Sequence, residues 1–197
     1  MNFLKSNPDF LIIGGGIFGS SIACNLSRRS SGSVLLLERL ELASATTTRA
    51  AGLIRNLNPK QGQTALKTHT KEAIGLLGEE LEESLHWHQV GGLLAAESEA
   101  NIFHLEALEK HAFNPFGNFQ WIDRTEAKEM VPWLDTSKAN KFALLPDDGF
   151  IDSYLFAKFY ARAAKKHGAV FKTGIEVTAL QKSGNRVTGV QTTCGGI

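Results

Sequence analysis

Phe10-Leu11-Ile12-Ile13-Gly14-Gly15-Gly16-Ile17-Phe18-Gly19 is the stretch on which the fold of this chain turns. After Asp9, Phe10 to Ile13 is a short, continuously apolar run, the pattern of a strand buried on both faces of a parallel sheet. Three glycines stop it at once. From Ser20 to Arg29, Ile22, Ala23 and Leu26 recur at helical spacing, and the polar stretch Ser30-Ser31-Gly32-Ser33 ends that helix. Val34-Leu35-Leu36-Leu37 is a second apolar strand, and it closes on Glu38. Strand, glycine turn, helix and strand within roughly 30 residues make a βαβ unit.

Gly14-x-Gly16-x-x-Gly19 stands where a dinucleotide site needs it. The first glycine permits the tight turn, the second lets backbone approach a pyrophosphate, and the third lets helix pack closely on strand. The helix N-terminus then offers amide groups and a positive dipole end to phosphates. Glu38, about twenty residues on, is the carboxylate that accepts hydrogen bonds from ribose hydroxyls. Arg39 beside it would suit a 2′-phosphate, but Glu38 would repel one. A glycine turn alone is a weak signal; its agreement with both strands, the helix and the carboxylate makes this one specific.

Outward from this unit, residues 39–59 are rich in Ser, Thr, Ala and Asn and read as a long loop with one helical turn, and long ordered loops are commonly functional. Gln63 to Leu85 has a helical stripe through Leu66, Ala73, Ile74, Leu77 and Leu81. Trp87 to Ala96 reads as a strand interrupted by Gly91-Gly92, and Glu99 to Ala112 as a helix. Short strands are expected at Phe119 to Ile122 and Lys141 to Leu145, with a helix starting at Thr125 as its N-cap between them. Asp152 caps a predicted helix ending at His167-Gly168. Strands at Ala169 to Thr173, Ile175 to Gln181 and Val187 to Thr192 follow, the last two joined by a turn at Ser183-Gly184-Asn185.

Composition narrows the classes. The 197 residues are 43% hydrophobic and 21% charged, which suits an ordinary globular core rather than a disordered tail. Lys and Arg number 21 against 20 Asp and Glu, so no basic excess argues for nucleic acid. Two distant cysteines, Cys24 and Cys194, build neither a disulfide framework nor a zinc site, and a reducing cytoplasm is the expected compartment. The N-terminus does not read as a secretory signal, and no run approaches the roughly 18 apolar residues of a membrane span. His86 and His88 have metal-like spacing but no third ligand, so no metal is expected.

Three stretches together resemble the FAD-dependent oxidoreductases of the D-amino-acid oxidase family, whose members include glycine and sarcosine oxidases and the sarcosine and dimethylglycine dehydrogenases. The first is the glycine turn with Glu38; the second is Ala43-Ser44-Ala45-Thr46-Thr47-Thr48-Arg49-Ala50-Ala51-Gly52-Leu53; the third is Asp148-Gly149-Phe150-Ile151-Asp152, the following helix, His167-Gly168-Ala169 and the strand with Val177. The resemblance implies an α/β fold: a Rossmann-like FAD-binding domain, three-layered around a parallel sheet, with the first part of an α+β substrate domain of antiparallel strands. The implied FAD-binding segments are residues 1–80 and 151–197, and the partial substrate domain is 81–150. The implied cofactor is FAD.

The residues expected to bind it are Gly14, Gly16, Ile17, Phe18, Gly19, Glu38 and Arg39 in the first stretch. In the second they are Ser44, Thr46, Thr47, Thr48, Arg49, Ala51, Gly52 and Leu53, which by resemblance wrap the pyrophosphate and approach the flavin ring. In the third, Val177 places its backbone against the adenine. Where some relatives attach flavin covalently through a histidine, this chain has Arg49, which cannot form that bond but can steady negative charge. The implied reaction moves a hydride from an amine-bearing carbon of a small amine or amino acid to flavin N5, and an electron acceptor, oxygen or another, then reoxidises the flavin; a membrane-bound acceptor stays open. The resemblance covers the N-terminal half of the family's length, so the chain reads as truncated; most substrate-contacting residues of the family come from the other half, and the catalytic residues are unknown. Its last residues read as a turn entering a strand that the 197 residues do not contain. The alternatives are a non-catalytic FAD- or nucleotide-binding module, or one chain of a multi-chain flavoenzyme. A homo-oligomer or a partner chain would complete the open sheet edge.

Overall fold

The structure is a computed structural model that describes residues 7–58, 61–112 and 117–197, with the backbone alone for 61–65. In chain order the elements begin β1 (Phe10–Ile13), α1 (Ile17–Arg29), β2 (Val34–Leu37), a 3₁₀ turn (Thr47–Arg49), β3 (Leu53–Ile54) and α2 (Gln61–Leu81). There follow β4 (Gly92–Ala96), α3 (Glu99–Glu109), β5 (Gln120–Ile122), α4 (Arg124–Met130), β6 (Lys141–Leu145) and β7 (Gly149–Phe150). The chain continues with α5 (Ser153–Lys166), β8 (Val170–Lys172), β9 (Val177–Ser183), β10 (Arg186–Thr192) and β11 (Gly195–Gly196). They form two compact units: residues 1–51, 77–85 and 152–197 in the first, 52–76 and 86–151 in the second.

The first unit is built on a parallel sheet in the order β1-β2-β8, with Phe10 opposite Val34 and Leu35 opposite Val170. β2 is the central strand and all four of its residues are buried, as a strand covered on both faces must be. Its side chains alternate between two layers. Leu35 and Leu37 pack with Val190, Leu11, Ile175 and Val177, so one face of the sheet lies against the antiparallel β9-β10-β11 sheet. The other face, which carries fully buried Leu36, is covered by α1 and α5, which pack on one another. Small residues make that helix contact close: Gly19, Ser20, Ala23 and Cys24 on α1 and Ala163 and Ala164 on α5 are all buried. The three-layer α/β arrangement expected from the sequence is thus present.

Local chemistry explains the element ends. Asp152 caps α5, its carboxylate accepting from the Leu155 amide at 3.0 Å, and Gly168 beyond the helix takes φ +89°, which glycine adopts without strain. α1 begins at Ile17, directly from the glycine turn and earlier than its apolar spacing indicates. α2 stops at Leu81, because Glu82 turns left-handed (φ 54°) and the Glu83 amide closes back on the Gly78 carbonyl at 3.1 Å. Its stripe is buried at Ile74 and Leu77 but exposed at Leu66. Within the first unit Glu80 gathers Arg28, His167 and the backbone-bound Lys166 around the end of that helix.

The second unit carries the antiparallel sheet β4-β6-β5 over a core of Leu57, Ala96, Leu105, Leu108, Ala143 and Leu145. Two expectations change here. α4 is capped by Asp123, not Thr125: Asp123 and Glu126 exchange a reciprocal capping box at 2.9 and 2.7 Å, which satisfies two amides where a Thr125 cap would satisfy one. β4 starts only at Gly92, since Gly91 takes φ +78° and breaks the extended run; His88 instead bridges to Phe150. The last residues also differ from their reading, because Gly195–Gly196 form β11 against β10. Among the described residues no helix is long and apolar enough to cross a membrane.

Candidate functional site

A cleft of about 450 Å³ opens in the first unit at the carboxyl ends of β1 and β2, where open α/β sheets bind ligands. The glycine turn forms one wall. Gly14 takes φ +99°, a conformation that costs a side-chain-bearing residue but not glycine. A methyl group on Gly19 would lie 1.8 Å from the Gly14 carbonyl oxygen, so the absence of a Cβ there is what lets α1 rise directly out of the turn. At Gly15 a Cβ would meet Leu42 at 2.5 Å, and at Gly16 it would meet the Thr47 hydroxyl at 3.0 Å. Gly14 is thus required by its backbone angle and Gly19 by backbone in its way, while Gly15 and Gly16 face side chains that would have to shift.

Glu38, at the end of β2, braces this turn. Its Oε2 accepts from the Gly15 amide at 2.7 Å and its Oε1 from the Leu40 amide at 2.8 Å. Charge-assisted bonds of this kind are among the stronger ones available. They leave lone pairs on both oxygens for ribose hydroxyls. Arg39 lines the cleft beside it.

The second wall is the Ser/Thr loop. Ala43 is buried and left-handed (φ 62°), and its amide donates to the Gly15 carbonyl at 3.0 Å. That strained conformation holds the loop over the glycine turn. Ser44, Thr46 and Thr47 line the cleft, with Ala43 and Ala45 between them. Thr47 is buried, and its hydroxyl accepts from the Ile17 amide at 3.1 Å, supplying the cap that Gly16 cannot. The far wall is Ile175, Glu176 and Val177, in the segment entering β9.

Of the expected site residues, Gly14, Gly16, Ile17, Phe18, Gly19, Glu38, Arg39, Ser44, Thr46, Thr47 and Val177 line this one cleft. Thr48, Arg49 and Ala51 do not; Thr48 turns its hydroxyl to the Ala45 carbonyl at 3.0 Å, and Arg49 ends the 3₁₀ turn. Gly52 and Leu53 belong to the second unit. There Gly52 takes φ +68° with the Ile151 carbonyl 2.0 Å from where a Cβ would sit, and Leu53 is exposed in a two-residue pairing with Phe150. His88 stacks on Phe150 with 4.8 Å between ring centres. Sequence reasoning did not single out Ile13, Leu37, Ala43, Ala45, Ile175 and Glu176, which also line the cleft, or Gly15, whose amide donates to Glu38. Gly15 had a readable signal in the glycine run; a left-handed alanine had none.

The fold and the cleft define a dinucleotide-binding α/β protein. Comparison with known proteins narrows the class: the family model described as FAD dependent oxidoreductase matches residues 9–197, and the chain belongs to that family. Mitochondrial sarcosine dehydrogenase of Homo sapiens is 30% identical over 210 residues, covering 98% of this chain and 22% of the relative. Mitochondrial dimethylglycine dehydrogenase of Homo sapiens is 28% identical over 195 residues, covering 97% of this chain and 22% of the relative. The chain thus spans about a fifth of the length of these curated relatives. L-proline dehydrogenase from P. horikoshii superposes with a TM-score of 0.86 at 27% identity, covering 98% of this chain and 51% of that one. Glycine oxidase from Bacillus cereus ATCC 14579 shares the fold, with a TM-score of 0.79 at 24% identity over 97% of this chain and 53% of that one. FAD is the cofactor of the family. The turn that a Cβ would fill, the amide donors of the helix N-terminus and the accepting Glu38 carboxylate together fit it.

Proposed function

We propose that this chain supplies the FAD-binding part of an oxidoreductase acting on a small amine or amino acid. The observation that carries the reading is one cleft built from the glycine turn, Glu38, the Ser/Thr loop and Val177. In this reading residues 1–80 and 151–197 are the FAD-binding domain, and 81–150 begin the substrate domain. The first-turn amides of α1, at Ile17 and Phe18, and the hydroxyls of Ser44, Thr46 and Thr47 border the place of the pyrophosphate, with Arg39 beside Glu38. Glu38 accepts the ribose hydroxyls and the Val177 backbone meets the adenine. Arg49 would steady negative charge on the bound cofactor, and Thr48, Ala51, Gly52 and Leu53 remain assigned to the flavin by the resemblance of the loop. When bound, FAD supplies a ring that takes a hydride at N5 from the amine-bearing carbon.

The substrate class rests on relatives named for sarcosine, dimethylglycine and L-proline, all amino acids with a substituted amine. The cytoplasm is proposed because both Cys24 and Cys194 are free thiols, though two of the relatives are named as mitochondrial. The test is a visible spectrum of the purified, FAD-loaded chain with sarcosine, dimethylglycine and proline added in turn. Bleaching of the flavin band by one of them supports turnover by this chain. Flavin that stays coloured with all three would favour a binding module or one chain of a larger flavoenzyme.

A further inference from the structure

Gly16 sits at the N-cap of α1 without a side chain, so the helix has no local acceptor for its first amide. Thr47, thirty residues further on, provides one through the 3.1 Å bond from the Ile17 amide. Thr47 is in turn gripped by its backbone. The Ser153 hydroxyl donates to the Thr47 carbonyl at 2.7 Å and lies 3.3 Å from the Ala50 carbonyl. Ser153 is the first residue of α5, whose start is fixed by the Asp152 cap. A single hydroxyl proton therefore ties both sides of the Thr47–Arg49 turn to a rigid helix end.

We propose that Ser153 is a positioning residue for the pyrophosphate end of the cleft. By holding the Thr47 carbonyl it sets the Thr47 hydroxyl on the N-terminus of α1. A hydroxyl that accepts from Ile17 keeps one proton to donate, and a phosphate oxygen at a helix N-terminus is the acceptor that suits it. Ser153 does not line the cleft and acts only through Thr47. The proposal rests on the FAD reading above.

Four variants of the full chain test it: S153A, S153T, T47V and the double variant S153A/T47V. FAD affinity is read by quenching of flavin fluorescence, and amide hydrogen exchange of residues 44–50 is read without FAD. S153A is expected to weaken FAD binding about tenfold, the worth of one hydrogen bond, and to speed exchange in 44–50. S153T, which keeps the hydroxyl, restores both. T47V weakens binding at least as much, and S153A adds little to it because the two act in series. Wild-type affinity in S153A, or losses that add fully in the double variant, would overturn the proposal even if S153A lowered stability. A wild-type chain that takes up no FAD overturns the proposed function as well, so the two failures are distinguishable.

Discussion

A methyl group on Gly19 would sit 1.8 Å from the Gly14 carbonyl oxygen, and the atom in its way is backbone that also shapes the cleft. Gly19→Ala can be accommodated only by lifting α1 off the turn. The expected cost is about 3 kcal/mol of stability, at the upper end for overpacking, with loss of FAD uptake; urea unfolding measures the first and ultrafiltration with FAD the second. Asp148, in the second unit, is a buried carboxyl whose Oδ1 accepts from the Asn56 amide at 2.8 Å. Burial pushes its pKa above the ordinary 3.8, against the opposing pull of that hydrogen bond and of Arg55 and Lys67. The unfolded chain gives up this proton first, so the stabilisation is fully present below about 3.8 and is lost as pH rises through the raised folded value. Asp148→Asn should remove that slope. Urea midpoints of wild type and variant, compared from about pH 4 to about pH 7, should converge or cross rather than run parallel.

Among the elements, α5 carries the clearest consequence. Ala163 and Ala164 have no exposed surface, and the helix packs on α1. Ala163→Leu adds volume where none is free, and about 2 kcal/mol of destabilisation is expected by chemical denaturation. Much at this scale was legible in the sequence. The glycine turn and the Asp152 cap depend on angles and contacts within a few residues, and Glu38 is marked by its fixed spacing from the turn in a βαβ unit. Misreadings arose where a distant or competing partner decides. Asp123 takes the α4 cap from Thr125 because Glu126 completes a box with it. α2 ends four residues before its apolar pattern does because a left-handed turn intervenes. The Thr47–Ile17 and Ser153–Thr47 bonds join residues 30 and 106 positions apart, and no spacing rule marks them.

For the whole molecule, the glycine turn, the β2 carboxylate and the Ser/Thr loop, separate in sequence, line one cleft of the first unit. The same 197 residues correspond to about a fifth of the length of the curated relatives and about half of the solved dehydrogenase. Cofactor binding is thus the property this chain's own atoms argue for most directly. Incubation of the purified chain with FAD, removal of free ligand by ultrafiltration and a visible spectrum of what is retained test it. The account predicts a retained flavin band that acid precipitation releases wholly to the supernatant, since Arg49 offers no covalent attachment. A folded chain that stays colourless after FAD incubation would contradict it.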